Sequence, residues 1–305
     1  ITYSILWAMS TIPTTFSPVN LTNKQLIESF TAQFSPYCDF SFTNLYIWNT
    51  DGRKTFFKFH DNTLVIKTYN LISQEPMYSL LGHNIDTHVV DALLNETDTI
   101  EFVPEECISP LLTKNIKYHI TEDIDNHDYI IDLVQLKKLE GNGMKSVRQK
   151  LTRFKRDFNS CRIEQLNSSK DYMELMQLFH KWKLTRDQNQ TKALDITECA
   201  LIKLLEYKEA INLQILGVKS EENVLLGFVV NELTTSDTAI GLFGFADNKI
   251  KGIYQALEYA TCLALVEKGY KYINLEQDLG IQNLRKAKQE LQPYKLLKKY
   301  RIKRS

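Results

Sequence analysis

Asn274, Glu276 and Asp278 stand at every second position behind the apolar pair Tyr272 and Ile273. On an extended strand that spacing turns three polar side chains toward one face. Carboxylates held close together raise each other's proton affinity, so one of them can take a proton from an amine or hydroxyl, or grip a cationic amine. Glu276 is the leading catalytic candidate, with Asp278 beside it. Asp278 also precedes Gly280, where it would cap the helix that opens near Ile281. Upstream, an apolar run ending at Phe245 leads into Lys249-Ile250-Lys251-Gly252-Ile253-Tyr254. A glycine at the mouth of a helix leaves backbone N–H groups open to an anion, and Lys249 and Lys251 add positive charge. Against this stands a plain strand-to-helix turn with solvated lysines. Tyr254 is placed either to donate a proton to a leaving group or to pack with its hydroxyl satisfied. Past Gly280, Arg285 and Lys288 fall three apart on a helix, with Lys286 between them, and suit a phosphate or carboxylate.

A second basic feature precedes these. The helix Met144–Phe158 carries Lys145, Arg148, Lys150, Arg153, Lys155 and Arg156, while Val147, Leu151, Phe154 and Phe158 form its apolar stripe. Arg148, Lys150, Arg153 and Arg156 are candidates for RNA or phosphate contact, and the tail Lys295, Lys298, Lys299, Arg301, Lys303 and Arg304 adds charge. A solvated charged face is the competing reading.

Bulk properties limit the functions available. The 305 residues suit two domains, and 37 basic against 37 acidic side chains exclude a protein whose whole surface traps nucleic acid. No run approaches the roughly 20 apolar residues of a membrane span. The opening Ile1–Ser10 run is apolar but lacks a basic flank, so no secretory signal is expected, and Met9 is a candidate start. Cys38, Cys107, Cys161, Cys199 and Cys262 are odd in number and far apart, which fits reduced thiols and a cytoplasmic location. His127 and His180 have no partner at zinc spacing, so no metal is expected. There is no GxSxG elbow for a serine hydrolase.

The elements that must position these groups fall in two halves. Before about Leu139, a helix over Leu21–Phe34 with Thr22 as N-cap precedes paired strands Lys54–His60 and Thr63–Tyr69, which turn at Asp61-Asn62. A helix at Ile85–Leu94, a strand at Thr99–Val103, a helix begun by Pro104, and strands Lys117–Ile120 and Asp128–Leu133 complete that half. Gly141-Asn142-Gly143 marks the boundary, dividing the chain into 1–140 and 141–305. The second half follows the basic helix with a strand at Arg162–Leu166, helices Asp171–Thr185 and Thr197–Tyr207, and a meander of three strands between Asn212 and Phe245. The glycine-led helix, a strand, a helix and a final strand Tyr294–Lys303 close it.

That order resembles the GNAT acyltransferase fold. SFTNLYIW (Ser41–Trp48), HDYIIDL (His127–Leu133), VRQKLTRFKRDF (Val147–Phe158) and YINLEQDLGIQNLRKAK (Tyr272–Lys288) together resemble a bacterial family named for the C-terminal domain of phosphatidylglycerol lysyltransferase, related to Fem-type aminoacyltransferases. The resemblance runs from about Phe34 to Tyr300. It implies an α/β (α+β) protein of two tandem GNAT-like domains, each a mixed, mostly antiparallel sheet flanked by helices. It implies transfer of an acyl or aminoacyl group from aminoacyl-tRNA or acyl-CoA to an amine or hydroxyl, with no further cofactor required. Lys249, Lys251, Gly252, Asn274, Arg285 and Lys286 would then bind the donor, and Glu276, Asp278 and Tyr254 would carry the chemistry. Partners would be tRNA or a phosphate-bearing acceptor, with peripheral membrane contact open. Acetyl-CoA-binding relatives carry Arg/Gln-x-x-Gly-x-Gly/Ala, whereas Tyr254 stands here at the last small position. That departure favours the aminoacyl-tRNA branch, or a non-catalytic binding module that kept the fold and lost the donor site.

Overall fold

Phe57 and Phe59 alternate with partly exposed Phe56 and Lys58, and a two-residue turn with Asp61 at φ 48° folds the strand back on Thr63–Tyr69. The paired strands expected there form with His60 opposite Thr63. The computed structural model describes residues 14–70, 73–108, 117–186 and 191–305. Met9 and the opening Ile1–Ser10 run lie outside them.

The first half contains β1 (Ser17–Pro18), α1 (Lys24–Thr31), α2 (Phe42–Ile47), β2 (Phe56–His60), β3 (Thr63–Tyr69), β4 (Pro76–Gly82), α3 (Thr87–Leu93), β5 (Ile100–Pro104), β6 (Tyr118–Glu122), β7 (Asp128–Asp132) and α4 (Leu133–Lys138). The second contains α5 (Lys145–Asp157), β8 (Arg162–Gln165), α6 (Ser169–Lys183), α7 (Thr191–Glu206), β9 (Leu213–Lys219), β10 (Leu225–Glu232), β11 (Thr238–Ala246), α8 (Ile253–Glu267), β12 (Tyr272–Asn274), α9 (Gln282–Glu290), β13 (Lys295–Leu297) and β14 (Lys299–Arg304). Strand β4 and helix α2 carry no strong period in sequence and were not expected. Thr22 is not the N-cap. Asn20 caps a short 3-10 turn by accepting from the Thr22 amide at 3.0 Å, and α1 starts only at Lys24.

Two seven-stranded mixed sheets result, ordered β1-β2-β3-β4-β5-β14-β6 and β13-β7-β12-β11-β10-β9-β8. Among the described residues each has one parallel pair spanned by a helix: β4 and β5 around α3, β11 and β12 around α8. The two halves are thus built on one plan. Strand membership does not follow the division at 1–140 and 141–305. β7 lies in the second sheet, and β14 returns to the first between β5 and β6. The expected continuous strand Tyr294–Lys303 is therefore two strands in two sheets, broken at Lys298.

Buried polar groups sit where the chain crosses between sheets. Asp128 opens β7 and Lys299 opens β14, and both are fully buried. Lys299 Nζ donates to Asp128 at 2.6 Å and also pairs with Asp39. The Asp128 carboxylate further accepts from the Cys38 amide at 2.8 Å, the Cys38 thiol at 3.0 Å and Asn274 Nδ2 at 3.0 Å. A second tie joins the halves: buried Glu232, at the end of β10, accepts from the Ser41 hydroxyl at 3.0 Å and the Thr43 hydroxyl at 2.6 Å at the start of α2.

On the other face, Val147, Leu151 and Phe154 of α5 pack on Ile253, Ala256 and Leu257 of α8. Gly252 permits this approach. It has φ +87°, and a Cβ there would lie 2.4 Å from the Lys150 carbonyl oxygen.

Lys299→Met leaves Asp128 buried without its counter-charge and should lower unfolding free energy by about 3–5 kcal/mol in urea titration; a loss under about 1 kcal/mol would refute the assigned role. Gly252→Ala combines a left-handed backbone with a main-chain collision and should cost at least about 2 kcal/mol. Unchanged stability would mean that α5 does not need the glycine.

Candidate active site

Strand β12 ends at Asn274, and this changes how the polar residues after it are used. β11 and β12 pair only from Thr238–Tyr272 to Ile240–Asn274. β11 runs on to Ala246, while the other chain turns away through Glu276 (φ 59°) and Leu279 (φ 56°). Two non-glycine residues in left-handed conformation within four positions mark a loop held by its surroundings. Asn274, Glu276 and Asp278 therefore do not share one strand face, contrary to the alternation expected from their spacing. Each is used differently.

Asn274 is fully buried. Its Nδ2 donates to the Pro36 carbonyl at 2.7 Å and to Asp128, and its Oδ1 takes the Glu276 amide at 2.7 Å. Asp278 is also fully buried and accepts from Tyr129 at 2.5 Å, from Arg285 Nε and Nη2 at 2.8 Å each, and from the Gly280 amide at 2.8 Å. Burial opposes its charge, but these donors prevail and hold its carboxyl below the usual range. Arg285 also reaches Asp125 at 2.6 Å, so its guanidinium is engaged by two carboxylates. The capping reading of Asp278 is met only through the Gly280 amide.

Glu276 differs from both. It is partly buried, and its side chain accepts from Asn44 Nδ2 of α2 at 2.7 Å. Burial pushes its carboxyl up to about 7, against the opposing effects of the Asn44 hydrogen bond and the Lys288 charge. Lys288 projects from α9, donates to the Gln277 carbonyl, and is lowered by burial. Gln277 Nε2 reaches Asp39 at 2.8 Å. Burial raises Asp39 while Lys299 holds it down. Cys38, Asp39 and Asp128 bring three ligand-type atoms within 4.8 Å of one another, but the Lys299 ammonium already serves as their cation.

The start of α8 forms a separate centre. A cavity of about 290 Å³ there is lined by Lys150, Arg153, Asn248, Ile250, Lys251, Gly252, Tyr254 and Gln255. Lys251 and Gly252 are brought together as expected from sequence, joined by Lys150 and Arg153 of α5. Lys249 is exposed beside it, and its amide donates to Asp247 at 2.9 Å. Tyr254 accepts from the Ala246 amide at 3.2 Å, where β11 ends, and burial raises its phenol. Glu276 and Asp278 do not line this cavity. Lys286 is exposed on α9.

The basic helix is less free than its sequence suggests. Arg148 donates to the Gly141 carbonyl at 2.8 Å and to that of Leu139, and Lys150 pairs with Glu290. Arg153 and Arg156 share Asp157, at 3.4 and 2.7 Å, and both are exposed. Lys145, Arg148, Gln149, Thr152, Arg153 and Arg156 line an open depression of about 500 Å³. In the tail, Lys299 is wholly internal, Arg301 pairs with Glu101 and Asp123, and Lys298 pairs with Glu122. That tail is thus not a continuous basic surface.

Sequence reasoning missed Asn44, Asp39 and Gln277. Asn44 lies in the SFTNLYIW motif, where a polar residue among apolar neighbours was the available signal.

No curated protein matches. A crystal structure of a conserved protein of unknown function from Bacteroides thetaiotaomicron is 26% identical, with TM-score 0.82 over 95% of this chain and 99% of that one. L-PGS from Bacillus licheniformis is 16% identical, with TM-score 0.63 over 94% and 93%. A tandem GNAT protein from the clavulanic acid biosynthesis pathway is 10% identical, with TM-score 0.52 over 95% and 98%. The two mixed sheets with flanking helices are thus a tandem GNAT-like fold. Among the described residues no helix is long and apolar enough to cross a membrane. Residues 31–303 match the family described as phosphatidylglycerol lysyltransferase, C-terminal, and the chain belongs to that family.

Proposed function

We propose that this chain is an acyl or aminoacyl transferase in which Glu276 is the general base. The observation that carries this reading is a partly buried carboxylate with one hydrogen bond from Asn44, on a left-handed loop where β11 and β12 part, whose proton affinity burial raises to about 7. A base of that affinity suits proton removal at neutral pH. The nucleophilic amine or hydroxyl of the acceptor gives its proton to Glu276 and attacks the donor carbonyl. The tetrahedral intermediate then collapses and expels the ribose oxygen of tRNA or the sulfur of coenzyme A. The leaving atom regains a proton from Glu276, while Tyr254, at the separate cavity by Gly252, would contact the donor. Past Ile240 the β11 edge has no β12 partner, and its amides are suited to steady the oxyanion. The basic cavity at Gly252 would take donor phosphate, with Lys251, Lys150 and Arg153 supplying charge. Asn274, Asp278 and Arg285 hold the loop. The exposed Arg153 and Arg156 suit an RNA backbone.

A second reading has its own support. α5 lies against Gly252, and Tyr254 occupies the Ala246 amide, so a donor site lost to packing would leave a binding module without catalysis. Calorimetry separates the two. Binding of charged tRNA that weakens steeply with salt supports the transferase with an aminoacyl donor, and binding of acetyl-CoA supports an acyl-CoA donor. Absence of both supports the module.

Glu276→Gln should lower turnover by about 10²–10⁴-fold without unfolding. Wild-type turnover should rise with pH through about 7. Full activity in the variant would remove Glu276 from the mechanism. Stability gives an independent check. A carboxyl whose folded pKa exceeds its unfolded value, about 4.3, stabilises fully below that value and loses the contribution as pH climbs through about 7. The Tm of Glu276→Gln minus that of wild type should therefore be larger at pH 8 than at pH 5. A pH-independent difference would show that Glu276 titrates normally.

A further inference from the structure

We propose that Asn44 is the positioning residue for Glu276, so that the first half of the chain completes the catalytic centre of the second. This rests on the general-base reading above and adds a residue to it. Asn44 is 7% exposed, and its Nδ2 divides its hydrogens between Glu276 at 2.7 Å and the Cys38 carbonyl at 3.1 Å. Both partners are acceptors, so the amide orientation is dictated: nitrogen must face them. In that orientation Oδ1 is buried without a hydrogen-bond partner among the described residues. Leaving a buried acceptor unmet carries a desolvation cost that nothing repays. A leucine of similar size would avoid that cost if the site needed only packing. The asparagine is accounted for by what its nitrogen does, which is to hold the charged form of the Glu276 carboxylate in one place.

The helix that carries Asn44 is itself fixed to the second sheet. Its first turn is held by Glu232 through Ser41 and Thr43. The preceding residues are held by Asp128 through the Cys38 amide and thiol. Asn44 thus reaches Glu276 from an element locked on both sides. Glu276 stands at φ 59° with its amide tied to Asn274, so its backbone is set from one half and its carboxylate from the other. The charged groups around Glu276 are Lys288 from α9, Asp128 from β7 and Asp39 from the segment before α2. The Asn44 hydrogen bond acts on the side of Lys288, favouring the carboxylate, while the two aspartates oppose it.

The test is a carboxyl titration by NMR on protein labelled with ¹³C-glutamate, with the Glu276 signal identified by its loss in Glu276→Gln. Asn44→Leu removes a donor to the charged form and should move the Glu276 midpoint upward by about one unit or more. A midpoint unchanged in Asn44→Leu overturns the proposal. Should that variant fail to fold, wild-type protein alone decides the matter. The side-chain amide of Asn44 must shift with pH at the same midpoint as Glu276, and an amide that stays still overturns the proposal. Once turnover is measurable, Asn44→Leu should lower kcat more than it raises KM and carry the pH limb upward with the midpoint. Turnover that survives in Glu276→Gln rejects the general base. Turnover lost in Glu276→Gln, with neither midpoint nor amide responding, rejects Asn44 alone.

Discussion

The buried pair of Asp128 and Lys299 is the constraint around which the two halves are assembled. Each residue opens a strand that leaves its own half, β7 into the second sheet and β14 into the first. A slip of either strand would leave a charge in the interior without its partner, a penalty of several kcal/mol. Apolar residues of similar volume could pack there and stabilise as well. They would tolerate neighbouring registers, which a charge in that place does not. The Asp128 carboxylate accepts from Lys299, Asn274 and the amide and thiol of Cys38, so one group sets the relation among β7, β12, β14 and the chain leading to α2.

The candidate site inherits its geometry from that junction. Asn274 joins Asp128 to the Glu276 amide, and the segment fixed at Cys38 leads within a few residues to Asn44. Two carboxylates only two positions apart in sequence have their proton affinities shifted in opposite directions. Asp278 is surrounded by Arg285, Tyr129 and a backbone amide and stays ionised. Glu276 faces burial with one neutral donor and a lysine whose own charge is weakened by burial. Proton affinities of neighbouring acids pushed apart in this way are what the general-base role proposed for Glu276 requires.

Much of the architecture was legible in the chain. The apolar stripe Val147, Leu151, Phe154 of the basic helix, the Asp61-Asn62 turn and the meander ending at Phe245 all appear where local pattern places them, because each depends on neighbours within a few residues. At the mouth of the glycine-led helix, Lys251, Gly252 and Tyr254 line one cavity, whereas Lys249, from the same loop, does not. Less was legible where the cause is distant. The run Tyr294–Lys303 looks like one strand, but its two ends pair with partners in different sheets. Lys299 looks like one more surface lysine in a basic tail, and it is fully buried because the acids that attract it lie more than 170 positions earlier. Thr22 has the type of an N-cap, yet the neighbouring Asn20 takes that place two residues earlier.

Sequence by itself determined most of the elements, the residue types available for acid–base chemistry and the family to which the chain belongs, since these follow from side-chain type and short-range period. Tertiary structure alone decided which of those residues are free. Asn274, Asp278 and Arg285 are engaged by groups from β7, the Asp125 turn and the chain before α2, while Glu276 is left with a hydrogen bond from Asn44, 232 positions away. Hydrogen bonding and desolvation act through space at a few ångströms, and no spacing along a chain encodes which distant segment will arrive there.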